Sequence, residues 1–258
     1  EGGMATRLGL RGVPSAAEDV MVARDIALAE LTGGWLHLAH VSTANSVDMV
    51  RQAKMRGIRI TAEVTPHHLT LTDYWVAGEH GRHNRAFPLT TGSYDTSTKV
   101  NPPLRSAEDV NALVQGVRDG VIDVIATDHA PHTIVDKDTT YDEAAFGISN
   151  LETSLGSLLS LVHEGQLDLI TIVERLSSAP ARLLGTRGEN LGTLSPGAMA
   201  DVVLFDLNHE WLVDVSEFAS KGLNTPLKGQ KLKGRVMTTI VAGEIRYRSD
   251  SGIKLEME

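Results

Sequence analysis

Short apolar runs alternate with helix-like patterns through the first half of the chain. Pro14, then Ser15 with Glu18 three residues on, reads as a capping box that opens a helix. Val20, Ala23, Ala27 and Leu28 mark its apolar side, and Gly33-Gly34 stops it after about Leu31. Trp35 to Val41 reads as a buried strand with His40 near its end. A second helix is expected from about Ala44 to Arg56, closed by Gly57. A second strand, Ile58 to Val64, runs into Thr65-Pro66-His67-His68. Ser106 and Asp109 cap a third helix that stops near Gly120, and Val121 to Ala126 is a third strand ending at Thr127-Asp128.

Strands and helices alternating over short connections predict parallel strands with right-handed crossovers. The strand runs are apolar nearly throughout, as expected under a layer of helices. All three end in polar or turn-forming residues, at the edge where α/β folds place their chemistry. Asp73 to Thr98 breaks the pattern. It is rich in Gly, His, Asn, Ser and Thr and has no period, and a loop of that length is usually functional or mobile. Helical texture returns over Leu151–His163, about Asp168–Leu176 and Pro180–Leu184. Short β segments follow at 201–205, 210–213, 233–241 and 244–247, with Ala242-Gly243 as a hairpin turn. A boundary near Leu191 divides an α/β portion, residues 1–191, from a β portion, residues 192–258.

Composition narrows the function by exclusion. Of 258 residues, 41% are hydrophobic and 22% charged, which is ordinary for a globular chain. The formal net charge of −9 argues against a protein that grips nucleic acid by its phosphates. There is no cysteine, so thiolate metal sites, disulfides and thiol nucleophiles are excluded together. No apolar run is long enough to span a bilayer, and the first residues carry no signal-peptide pattern. A cytoplasmic enzyme fits this balance. The opening Glu-Gly-Gly-Met lacks a Met at position 1, and the chain is expected to begin within a longer protein.

Candidate chemistry lies at the strand ends. His40 has an imidazole that could ligate a metal, or simply cap a strand. His67 and His68 follow the second strand, where at most one could face a shared metal, and they are not taken as ligands. Asp128 could bind a metal and take a proton from water, or cap a turn. His129 and His132 stand close behind it, with Ala130-Pro131 stiffening the exit, which is more than a turn needs. Asn101 opens Asn-Pro-Pro-Leu-Arg. It could offer an amide to a polar substrate or serve only as a helix lead-in.

The order of His40-Val-Ser-Thr, Thr65-Pro-His-His-Leu, Lys99-Val-Asn-Pro-Pro-Leu-Arg105, Thr127-Asp-His-Ala-Pro-His132, Ala145-Phe-Gly-Ile148 and Ala200-Asp-Val-Val-Leu-Phe-Asp206 resembles dihydroorotases of the long bacterial type. The resemblance covers nearly the whole chain. It implies the last three strands and helices of a metal-dependent-hydrolase TIM barrel, followed by β segments of a small side domain. It implies two zinc ions, with His40 and Asp128 as metal ligands and Asp128 as general base and acid. Asn101 and His132 would hold the substrate, and Phe146 and Gly147 would contact the pyrimidine ring. The resemblance implies dihydroorotate and carbamoyl aspartate as the substrate pair, in pyrimidine synthesis. A homodimer and aspartate transcarbamoylase are the implied partners, with no nucleic acid and no membrane.

Relatives with other activities, allantoinases and hydantoinases, share the outline. A non-catalytic subunit that scaffolds aspartate transcarbamoylase is the reading from another class. The family's His-x-His-x-Arg motif does not occur in these 258 residues. The isolated chain is therefore expected to hold two metal ligands only, to be inactive by itself and to be poorly soluble through its open sheet edge.

Overall fold

A computed structural model describes residues 2–79 and 92–249. The central part of the Asp73–Thr98 loop, residues 80–91, lies outside the described residues. The flanks of that loop carry two 3₁₀ turns, Asp73–Ala77 and Thr96–Thr98. The chain forms two compact units, residues 1–154 with 213–230, and residues 155–212 with 231–258.

The first unit is built on three parallel strands, β1 (Leu36–Leu38), β2 (Ile60–Val64) and β3 (Val124–Ile125), in that spatial order. All three predicted strands are present and shorter than their apolar runs. Helix α1 (Gly3–Leu8) precedes α2 (Ser15–Thr32), and α3 (Ala44–Met55) crosses from β1 to β2. Helix α4 (Pro66–Thr70) follows β2, α5 (Ala107–Arg118) leads to β3, and α6 (Ile134–Lys137) follows it. Thr43 and Ser106 cap α3 and α5 through their hydroxyl oxygens, the local chemistry the sequence predicts for Ser106.

Helix α2 turns differently from its predicted face. Val22, Ile26 and Ala29 are buried, while Val20 and Leu28 are 65% and 52% exposed. Apolar residues are spread around this helix, so no single stripe dictates which side packs. The predicted capping box does not form: Pro14 stands at the N-cap of α2, Ser15 is already helical and no side chain bonds there, because Glu18 is engaged elsewhere. The Glu18 carboxylate accepts from the backbone N–H of Ser42 and Thr43 and from the Ser46 hydroxyl, tying α2 to the exit of β1.

The second unit holds α7 (Ser154–His163), α8 (Leu169–Leu176), α9 (Ser178–Leu183) and an antiparallel sheet of β4 (Val202–Leu212), β5 (Lys231–Val241) and β6 (Glu244–Arg248). The two predicted segments 201–205 and 210–213 belong to one strand. Between Asp206↔Arg235 and Glu210↔Lys233 the register slips, because Asp206 accepts from the N–H of Asn208 and bulges the chain there. The hairpin turn sits at Ala242-Gly243, both with positive φ. Leu158, Leu159, Leu161 and Ile172 form this unit's fully buried core.

Candidate active site

The carboxyl edge of the parallel sheet carries two residues in a backbone conformation that non-glycine residues seldom adopt. His40, two residues past β1, has φ +39°, and Asp128, three residues past β3, has φ +47°. Such conformations cost on the order of 1–3 kcal/mol and persist only where the surroundings impose them. Histidine and aspartate are among the residues that tolerate them. Asp128 is exposed and His40 half-buried.

The surroundings of Asp128 are organised by two asparagines. The carboxamide of Asn150 donates to the Thr127 carbonyl at 3.0 Å and to Nδ1 of His67 at 2.8 Å. Its backbone N–H, and that of Leu151, donate to Nδ1 of His129 at 3.0 and 3.3 Å. His129 is thereby committed to the turn. Asn224 clamps the next residues. Its Oδ1 accepts from the N–H of His132 at 2.9 Å and from the Ser149 hydroxyl at 2.8 Å. Its Nδ2 donates to the carbonyls of Ala130 and Gly147, each at 3.0 Å. A ladder bond from Ala130 N–H to Ile148 completes the pairing of this turn with residues 147–148.

Three of the residues predicted to hold substrate meet here. Nε2 of His132 is 2.8 Å from the Phe146 carbonyl, which can only accept, so Nε2 carries a proton. The other ring nitrogen, Nδ1, lies 4.0 Å from Asp136. Gly147 packs beneath, at φ +147°, where a Cβ would stand 2.9 Å from His132 Nε2 and 2.6 Å from the Ala130 Cβ. Phe146 is 52% exposed, with the Lys99 ammonium 4.5 Å above its ring centre. Asn101, also exposed, opens a segment whose Asn101–Pro102 peptide is cis. That segment is tied to the cluster by Gly147 N–H, which donates to the Lys99 carbonyl at 2.9 Å.

His67 and His68 sit on α4, both 2% exposed, with ring centres 4.5 Å apart. His68 is fully bonded, between the Thr65 hydroxyl at 2.8 Å and the Pro102 carbonyl at 2.9 Å, so it braces the Asn101 segment. Burial pushes its pKa down to about 4. Burial, with His68 and His40 nearby, holds His67 well below the usual histidine range, and its Nε2 meets no hydrogen-bond partner. Lys137, 7% exposed, donates to the carbonyls of Thr96, Lys99 and Ala145. Burial lowers its pKa to about 8 against the opposing pull of Asp95.

A cavity of about 800 Å³ opens beside His132, with Lys137, Lys221 and Lys228 on its walls. Another, of about 580 Å³, is lined by Phe146, Lys99, Arg105 and Tyr141 among others. His40, Asp128 and Asn101 line neither. Among the described residues, no group of three or more histidines and carboxylates converges as on a metal ion. One imidazole and one carboxylate fall short of the four ligands zinc usually takes, so these residues do not close a zinc site by themselves.

Residues 4–246 match the model of the amidohydrolase family. The chain belongs to that family. Its amidohydrolase fold is of the TIM-barrel type, as the solved L-hydantoinase (dihydropyrimidinase) of Arthrobacter aurescens indicates. The two superpose with a TM-score of 0.78 at 31% identity, over 90% of this chain and 49% of that one. Among curated relatives, a dihydroorotase of Anaeromyxobacter dehalogenans strain 2CP-C is 54% identical over 245 residues, 95% of this amidohydrolase chain and 53% of that protein. A dihydroorotase of Pelotomaculum thermopropionicum is 53% identical over 246 residues, again 95% and 53%. The chain spans about half the length of the relatives it matches. No helix among the described residues is long and apolar enough to cross a membrane.

The two asparagines and His68 escape a reading of the sequence. Each acts on at least one residue more than 20 positions away, and no local pattern distinguishes such an asparagine from a turn residue.

Proposed function

We propose that the protein carrying this chain is a dihydroorotase, which opens the ring of dihydroorotate to carbamoyl aspartate and closes it in the reverse direction. The observation that carries the reading is the cluster of His132, Phe146 and Gly147, fastened beside Asp128 by Asn224. In the dihydroorotase pattern these positions hold substrate and move a proton. The relatives at 53–54% identity, named dihydroorotase, support the same reading.

In this reading residues 1–191 are the last three strands and helices of the barrel, and 192–258 belong to a side domain. Asp128 projects from the carboxyl edge of the sheet. Its carboxylate takes the proton of the attacking water as the new C–O bond forms. It returns that proton to the ring nitrogen as the C–N bond breaks. His132 faces the substrate carboxylate. Because its Nε2–H is held by the Phe146 carbonyl, Nδ1 is the ring nitrogen left to meet the substrate. The lysines of the adjoining cavity add positive charge for an anionic substrate. Zinc is the metal proposed, and His40 and Asp128 would supply two of its ligands.

The test is ring opening by the intact protein, measured on dihydroorotate beside hydantoin, dihydrouracil and allantoin, with the Asp128→Asn variant as control. Dihydroorotate is expected to be the preferred substrate, and Asp128→Asn to lower kcat by roughly 10²–10⁴-fold with its fold intact. Preference for an uncharged ring would move the assignment to a hydantoinase or allantoinase. No turnover of any ring by the metal-loaded protein would support a non-catalytic subunit.

A further inference from the structure

The proposed chemistry requires Asp128 to sit at one place in one orientation, yet its backbone is in a strained conformation on an exposed turn. Something must impose that conformation. Three bonds from one buried residue do so. Asn150, 3% exposed, is bound to the carbonyl of the residue before Asp128 and to the ring of the residue after it.

We infer that Asn150 is a positioning residue for Asp128, bracketing it from both sides and using His67 as a third anchor. The inference rests on the reading of Asp128 as the proton-carrying group. The direction of each bond follows from what the partners can do. The Thr127 carbonyl only accepts, so the carboxamide end facing it is the NH₂ group. The second hydrogen of that group lies on His67 Nδ1, which must then be an acceptor. A neutral imidazole whose Nδ1 accepts carries its proton on Nε2. His67 is therefore a fixed Nε2–H tautomer and no metal ligand through that atom, although it lies close enough to His40 to be influenced by it. His67 and Asn150 are 83 residues apart, and Thr127 and Asn150 23 apart, so only the packed fold creates this bracket.

A plain packing role predicts something different. A residue that only filled space would alter stability when changed, not the turnover of the folded protein. Asn150→Asp tests this, because it keeps the shape and removes both N–H groups. In the intact protein we expect a tenfold to roughly hundredfold fall in kcat, with KM changed by less than about threefold, as for a misplaced catalytic group. In histidine-labelled protein, the ring-nitrogen signals of His67, assigned by loss in His67→Gln, should show an unprotonated Nδ1 and a protonated Nε2. In Asn150→Asp the proton should appear on Nδ1, facing the new carboxylate.

A folded Asn150→Asp with wild-type kcat, or a wild-type His67 carrying its proton on Nδ1, would overturn the inference. If Asn150→Asp does not fold, His67→Asn and His67→Leu decide. The first keeps an acceptor for the Asn150 amide and should retain kcat within about threefold, and the second should not. Equal kcat in the two would overturn it. If the wild-type protein opens no dihydroorotate, the reading of Asp128 fails, while the tautomer measurement still shows whether the bracket exists.

Discussion

Gly147→Ala puts the geometry of the candidate site to a quantitative test. The added Cβ would lie 2.6 Å from the Ala130 Cβ, 2.9 Å from the Ala130 carbonyl oxygen and 2.9 Å from His132 Nε2. Carbon atoms pack at about 3.5–4.0 Å, so relief needs a movement of about 1 Å. Two of the three atoms belong to Ala130, whose N–H and carbonyl are held by Ile148 and Asn224, so the strain cannot be shed by rotating a side chain. The backbone adds to this, since φ is +147°, a region that L side chains rarely enter. Overpacking costs about 1–3 kcal/mol and the backbone conformation about as much again, which sums to roughly 2–6 kcal/mol.

Urea unfolding should show a loss in that range. Because His132 Nε2 is one of the crowded atoms, KM for dihydroorotate in the intact protein should rise at least about tenfold, the equivalent of one lost 1.4 kcal/mol contact. Adding Ala130→Gly removes the 2.6 Å contact only and should recover part of the stability. A Gly147→Ala protein within about 0.5 kcal/mol of wild type and with unchanged KM would refute the close packing of residue 147 against the His132 turn.

Two further predictions rest on other parts of the structure. Asn224→Ala leaves two carbonyls, one N–H and one hydroxyl without their partner, and is expected to cost about 2–4 kcal/mol in urea unfolding and to raise KM more than it lowers kcat. An effect below about 0.5 kcal/mol would show that water replaces the clamp. The buried His68, with a folded pKa of about 4 against 6.5 unfolded, refuses a proton that the unfolded chain accepts. Its contribution is therefore constant above about pH 6.5 and falls by roughly 3 kcal/mol as the pH drops from there to 4. Unfolding measured at pH 7.5 and 5 should show about 2 kcal/mol of this loss, reduced in His68→Gln, and an unreduced loss in that variant would assign it to other groups.

Much of the frame is legible before folding, because it is written in local patterns. The caps at Ser106, the stops at Gly33 and Gly57, and the Ala242-Gly243 hairpin depend on neighbours a few residues apart, and the structure bears them out. The parallel direction of the strands follows from the alternation of runs and helices. The face of α2 is not legible, because apolar residues surround that helix and only its packing partners choose between them. Likewise, 201–205 and 210–213 read as two strands because the polar stretch between them hides a bulge within a single strand.

The Asp-His-Ala-Pro-His segment shows the same division on a smaller scale. By itself the sequence determined that a carboxylate and two imidazoles follow the third strand, and that the motif resembles one family. It could not say which of those groups are free to act. The tertiary structure decided that His129 is spent on the backbone N–H groups of Asn150 and Leu151. It also decided that His132 is turned by the Phe146 carbonyl, and that Asp128 is left exposed between two anchored neighbours. The reason is physical: a buried polar atom must find a partner, and in this site the partners lie 14 to 94 residues away.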